Sequence, residues 1–333
     1  MTDPSQTPEA RRRPRVSPWF ALGLGALVLL GFVAMGDVES LTEHMGRWPM
    51  ETLLGVLGLS LAGYFIRAAR WSVYLRRLGI ALPAGDSAHV FFAGMVGSIT
   101  PGKVGEVIKS ALLENRHGIP VARTAPIVLA ERVGDLLALV LLATAGVVST
   151  GYGLEVVALG ATLALTVVIA AVWPPMGRLV VRWASRLPWL GRFAPKLEEA
   201  RRATQELFGT ATLFTGVFLS LLAWACEAVG TWWLINSLPG AEATLAEATF
   251  VFAFSTVAGA LTFLPGGLVA TEGSMVALLH GVLKLAPDLS SAGAITLMVR
   301  AATLWFGVAL GGVALSTYAR GKTDAGEQGE ART

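Results

Sequence analysis

Charge and reactive side chains are both scarce in this chain. Only 15% of the 333 residues are Asp, Glu, Lys or Arg, where soluble domains carry about a quarter. A soluble fold of this length is therefore not expected. The single cysteine, Cys226, excludes a disulfide framework and a thiolate metal site. The four histidines, His44, His89, His117 and His280, are scattered without ligand spacing, so no metal centre and no cofactor are expected. Strand-like alternation of apolar and polar residues is missing, which excludes a membrane β-barrel. The formal net charge is only +3, and no nucleic-acid partner is expected.

What the sequence does hold is apolar length. Hydrophobic residues make up 54% of the chain, and near-continuous runs occupy 19–36, 136–149, 156–173 and 301–317. Runs approaching 20 residues match an α-helix crossing a hydrocarbon core of about 30 Å. The chain reads as an all-α polytopic membrane protein. Its Arg-rich start, "RRRPR", precedes an apolar run longer than a signal-peptide core and without a small-residue cleavage site, so this run is read as a retained first span.

Positive charge fixes the expected topology. Lys and Arg cluster at 11–15, 67–77, 103–123, 178–202 and 320–332, whereas 149–153 and 236–247 hold none. The positive-inside rule puts the first set in the cytoplasm. Spans at 18–36 and 52–75 leave the chain inside. If 87–113 then crossed as one helix, the spans 124–150 and 154–173 would deliver the seven basic residues of 178–202 to the outside. The conflict disappears if 87–113 enters, turns at Thr100-Pro101-Gly102 and leaves on the same side. Its first arm, 87–99, is about 20 Å long, enough to pass mid-membrane.

The second half reads the same way. A span at 211–235 is followed by arms at 248–264 and 267–283, broken at Pro265-Gly266-Gly267, and by a span at 290–317 that ends in a basic tail. Both halves run span, hairpin, span, and they face opposite ways. The expected architecture is an inverted repeat with about six full spans and two re-entrant helical hairpins broken at Pro-Gly, a pattern that points to a transporter site. The alternative is that Pro-Gly only kinks continuous helices. The segments are a disordered basic tail (1–17), a first span and outer loop (18–48), the first repeat (49–175), a cytoplasmic amphipathic basic linker (176–208), the second, inverted repeat (209–318) and a polar, disordered cytoplasmic tail (319–333).

The breaks carry the candidate chemistry. A helix restarting at mid-membrane offers unpaired N–H groups and a positive dipole end to an anion. At the first break stand Ser98, Thr100, Pro101, Gly102, Lys103, Gly105 and Glu106; at the second, Pro265, Gly266, Gly267 and Glu272. Arg132 and Arg300 lie 31 and 35 residues after the two prolines. Each is an intramembrane charge costing about 2.5 kcal/mol or more unless paired or hydrated. Glu106 and Glu272 are the expected partners, and Glu131, Asp135 and Glu227 are further candidates for pairing or for carrying a coupling proton. Two roles stay open and are compatible: structural pairs that pin the hairpins, or cations that receive an anionic head group, such as a phosphate, near the midplane.

The segments "SITPGKVGE" and "TFLPGGLVATE", with "ERVGDLLAL", "LMVRAATLWFG" and the earlier "RAARWSVYLRRLG", resemble the lysylphosphatidylglycerol synthase transmembrane-region family, the flippase-like family that includes the membrane half of the multiple peptide resistance factor. The resemblance covers about 49–317. It departs from the usual pattern at Val269, where a third glycine is common, and Glu272 is slightly displaced. The resemblance implies movement of a lipid between leaflets or a platform for a lipid-modifying enzyme. About fifteen polar residues follow the last span, in place of the soluble catalytic domain of the aminoacyl-transferring members, so no such enzyme activity is expected. The leading reading is a flippase for an anionic, phosphate-bearing lipid or lipid-linked carrier in a bacterial inner membrane, with both termini cytoplasmic. The alternatives are a non-transporting subunit that presents lipid to a separate synthase, and an intramembrane lipid-modifying enzyme. The lipid and the oligomeric state stay open.

Overall fold

The computed structural model describes residues 46–100, 105–150, 154–173, 179, 182–183 and 194–330. The expected first span, the basic tail before it, and Pro101, Gly102 and Lys103 lie outside the described residues. Among the described residues every regular element is helical.

Helix α1 (Met50–Arg77) starts behind Pro49, carries Glu51 in its first turn and Arg76 and Arg77 in its last, and so complements its own dipole at both ends. Helix α2 (Ala84–Gly94) tightens into a 3-10 turn (Met95–Ile99), and the chain resumes as α3 (Ile108–His117). Helices α4 (Val121–Thr150) and α5 (Leu154–Val172) follow, then the charged helix α6 (Ala194–Leu207). The second half opens with α7 (Thr210–Asn236) and α8 (Leu245–Leu261), which starts at a capping box of Thr244 and Glu247. A short turn at Pro265–Gly267 leads into α9 (Ala270–Val276), α10 (Leu289–Arg300) and α11 (Phe306–Glu330). A π turn, Ala301–Trp305, joins the last two into one rod.

Among the described residues, three helices are long and apolar enough to cross a membrane: Met50–Arg77, Thr210–Asn236 and Leu289–Tyr318. Their outward side chains are themselves apolar; Leu54, Phe65, Phe214, Phe218 and Val313 are all largely exposed. A water-facing protein would not leave such a girdle uncovered, whereas lipid is its natural solvent. Inside, one core gathers Trp224, Phe250, Phe252, Ile295 and Val299, and a second gathers Trp71, Tyr74, Leu113, Ile127 and Leu207. Helix α6 feeds the second core through Ala203 and Leu207, while its other face stays wet. There Glu198 accepts hydrogen bonds from Arg201 and Arg202, which hold its carboxyl down to about 2. Helix α11 continues to Glu330, past the end of its apolar run and through the tail expected to be disordered. Lys, Ala, Glu and Gln in that tail all favour helix.

The two helix–break–helix segments are built alike. Helix α2 packs against α3, and α8 packs against α9. In each, a threonine hydroxyl staples the break: Thr100 Oγ1 donates to Gly97 O (2.7 Å), and Thr262 Oγ1 donates to Gly259 O (2.7 Å). Thr100 Oγ1 also accepts from Gly105 N at 2.6 Å, which ties the two sides of the first break together. The Gly-x-x-Thr spacing that makes both staples is legible in the sequence. The two breaks also touch each other, and α11 runs across the first.

Close approach at the first break depends on Gly97, where an added Cβ would overlap the backbone of Gly105 and Glu106. Gly58, on the outer face of α1, has nothing within 4 Å. Gly97→Ala should therefore cost about 1–3 kcal/mol and lower the thermal midpoint in detergent, while Gly58→Ala leaves it unchanged. Equal midpoints for the two variants would show that the strands of the break do not lie this close.

Candidate functional site

Helices α1, α4, α7 and α10 bring their charged residues to the place where the two breaks meet. The result is one cavity of about 340 Å³. Among the described residues, its wall holds five cations (Arg67, Arg70, Lys109, Arg132 and Arg300) and four carboxylates (Glu106, Glu131, Asp135 and Glu227), with Glu272 just behind Arg300. The rest of the wall is mostly apolar, including Leu129, Leu136, Phe252 and Phe263. A polar floor under apolar walls suits a molecule that is itself amphipathic.

Every one of these charges has a partner. Arg132 Nη2 donates to Glu106 Oε2 at 2.9 Å and lies 3.5 Å from Asp135 Oδ2. Arg300 Nε donates to Glu272 Oε1 at 2.6 Å, and its Nη2 donates to the carbonyl of Gly266 at 2.7 Å. Arg67 Nη1 meets Glu227 Oε1 at 2.5 Å, and Arg70 Nη1 meets Asp135 Oδ1 at 2.5 Å. Lys109 Nζ donates to Glu131 Oε2 at 2.6 Å and lies 3.4 Å from Glu106 Oε2, with the faces of Trp71 and Phe91 beside it. Ser98 Oγ donates to Glu106 Oε1 at 3.1 Å. In a low-dielectric interior an unpaired ion is costly enough that this complete pairing is what insertion requires.

In three of the pairs the cation is more exposed than its carboxylate: 27% against 8% for Arg132 and Glu106, 12% against 3% for Arg67 and Glu227, and 10% against 6% for Arg300 and Glu272. Arg70 and Asp135 run the other way, and Lys109 and Glu131 are both sealed. In the first three pairs the guanidinium group is the more open member. Several of their polar atoms are buried without a hydrogen-bond partner, among them Arg67 Nη2, Arg132 Nε and Glu272 Oε2.

The residues singled out from the sequence divide by what they touch. Glu106, Arg132, Gly266, Gly267, Arg300, Ser98, Glu131, Asp135 and Glu227 line the cavity, and Glu272 stands outside the lining, paired with Arg300. Thr100 and Gly105 do not line it; they form the staple of the first break. Gly266 takes a left-handed φ of 60°, which glycine adopts without strain, and Arg300 grips its carbonyl. Val269, where the resembling family commonly has glycine, also has a positive φ, 70°. The usual glycine thus matches a backbone demand that valine meets only with strain. Pro265 opens the short turn of the second break.

Three cations at the cavity were not singled out by the sequence reading: Arg67, Arg70 and Lys109. Arg67 and Arg70 sit in the basic cluster 67–77 and look like cytoplasmic flank. Helix α1 instead runs on to Arg77, so Arg67 lies about 15 Å inside its basic end. The available signal was their i, i+3 spacing inside an otherwise apolar helix. Lys109 stands three residues from Glu106 by the same rule.

Arg300 braces both a carboxylate and the backbone of a break, so Arg300→Ala leaves Glu272 uncompensated. Breaking such a buried pair costs about 3–5 kcal/mol, and the variant should lose most of its folded yield. Arg132→Ala, at the more open pair, should fold with a smaller drop in thermal midpoint. Monodispersity and thermal unfolding in detergent check this ranking, and the reverse order would contradict it.

Comparison with known proteins agrees with this architecture. The sequence matches the family described as "Lysylphosphatidylglycerol synthase TM region" over residues 19–311. It is also 23% identical to a "UPF0104 membrane protein" of Methanothermobacter thermautotrophicus over 324 residues, covering 89% of this chain and 93% of the relative. The match spans both breaks, the arginines behind them and the wall of the cavity, and the chain belongs to the lysylphosphatidylglycerol synthase TM region family of membrane proteins.

Proposed function

We propose that this protein carries a phosphate-bearing lipid, or a lipid-linked carrier, between the leaflets of a bacterial inner membrane. The observation that carries the reading is the cavity at the meeting of the two breaks, where arginines from three helices are each more open than the carboxylates they pair with. A phosphate is the ligand such an edge of guanidinium groups recognises best. The apolar wall beside it accommodates acyl or prenyl chains.

In this reading the breaks are tips of two re-entrant hairpins that enter from opposite faces. The matched threonine staples, and the matched pairs Glu106–Arg132 and Glu272–Arg300, favour an inverted repeat. Six full spans, 18–36 included, then place both termini and the linker helix α6 in the cytoplasm, where α6 and its arginines rest on anionic lipid. Opposed half-length hairpins provide alternating access, because a small tilt of one repeat opens the shared cavity to one side and closes it to the other. Phosphate contacts to the remaining edges of Arg132 and Arg300, with Glu106 and Glu272 still paired behind them, give the lipid head a path past mid-membrane without stranding a charge.

Two measurements test this. Purified protein in phosphatidylcholine vesicles should speed the transbilayer movement of tail-labelled phosphatidylglycerol or a polyprenyl phosphate, and Arg132→Ala should slow it at least about tenfold, the loss expected for one charge-assisted phosphate contact. No acceleration of any phosphate-bearing lipid would refute the carrier. In a Cys226→Ser background, single cysteines at Arg77 and Arg116 should react with an impermeant reagent from the same side; labelling from opposite sides would make the first hairpin a full crossing.

A further inference from the structure

We infer that Arg67, held between α1 and α7, is the residue that seats the head-group phosphate, in a subsite made by Tyr64, Arg67, Trp224 and Glu227. The inference rests on the carrier reading and gives its cavity a specific phosphate position. Neither break contributes to this subsite, so it is separate from the pairs at Arg132 and Arg300.

The geometry is that of a braced guanidinium with one edge unused. Arg67 Nη1 is taken by Glu227 at 2.5 Å. The guanidinium carbon sits 4.2 Å from the centre of the Trp224 ring and 5.9 Å from that of Tyr64. Tyr64 is fixed in turn, because its hydroxyl donates to the carbonyl of Thr303 in the π turn after Arg300. Two aromatic rings and a carboxylate therefore hold the plane of Arg67 in place. Nη2 is buried and lacks any hydrogen-bond partner. A buried N–H without an acceptor costs about as much as a lost hydrogen bond to a charged group. A phosphate oxygen in the cavity supplies that acceptor.

Its neighbour one turn along shows the contrast. Arg70 also carries an unpartnered atom, Nε, but its side chain is sealed at 1% exposure. It is spent on Asp135 and on the hydroxyl of Ser220, linking α1 to α4 and α7. Arg67 is 12% exposed and lines the cavity. Of the two arginines in "RAARW", Arg70 is a pin and Arg67 is a ligand group. The energetic logic favours this division, since stacking on Trp224 lowers the entropy lost when the guanidinium binds.

The test compares phosphatidylglycerol binding by purified full-length protein, titrated in detergent and read by native mass spectrometry, with thermal unfolding measured alongside. Arg67→Gln should weaken binding at least about tenfold. Arg67→Lys keeps the charge against Glu227 but loses the planar fork, and should weaken binding severalfold while leaving the thermal midpoint near that of the unaltered protein. Arg123→Ala, which removes a hydrogen bond to the Leu78 carbonyl away from the cavity, should do the opposite, lowering the midpoint without changing affinity. Should Arg67→Gln fail to fold, Arg67→Lys decides. Unchanged affinity in the Arg67 variants, with loss in Arg132→Gln, overturns this inference and leaves the carrier standing. Absence of phosphatidylglycerol and polyprenyl phosphate binding by the unaltered protein overturns both.

Discussion

An arginine in hydrocarbon must have a partner, and most of this structure follows from that constraint. Among the described residues, five cations line the cavity, and each meets a carboxylate from another turn or another helix. Because the partners come from different elements, each pair is also a tether. Arg67–Glu227 joins α1 to α7, Arg70–Asp135 joins α1 to α4, and Lys109–Glu131 joins α3 to α4. Arg300 fastens α10 to both the carboxylate and the backbone of the second break. Hydrophobic burial cannot specify helix order inside lipid, where the solvent is as apolar as the side chains. Ion pairs that would be ruinous if mismatched can do so.

The same pairs make a cavity tolerable where a solid core would otherwise be expected. Broken helices leave unpaired backbone groups, and a membrane protein bears them only where other groups satisfy them. Here the threonine hydroxyls at Thr100 and Thr262 and the guanidinium of Arg300 supply that satisfaction. What remains is a space edged by guanidinium groups, the more open members of three of the ion pairs. In the proposed carrier, a phosphate adds to such an edge while the carboxylates keep their pairs. A site that bound far more tightly would hold its lipid and not release it.

Much of this was legible in the sequence, and the parts that were not have physical reasons. The breaks at Thr100 and Pro265, the arms on either side, and the pairs of Arg132 with Glu106 and Arg300 with Glu272 follow from hydropathy, turn residues and the cost of lone charges. Arg67 and Arg70 escaped because a basic cluster at a helix end looks the same whether its first members lie in lipid or in water. Only the course of α1 to Arg77 separates the cases. Lys109 escaped because its aromatic neighbours, Trp71 and Phe91, come from elements far apart in the chain. The helical course of α11 beyond Tyr318 reflects local propensity, which a polar composition conceals.

The central claim is that lipid enters the charged cavity head first. A cryo-EM structure in nanodiscs containing phosphatidylglycerol tests it most directly. The account predicts phosphate density inside the wall bounded by Arg67, Arg132 and Gly266, with acyl density leading out past Leu129 and Phe263. Lipid density confined to the outer girdle around Phe65 and Phe218, with all five ion pairs closed over a water-filled space, would contradict it.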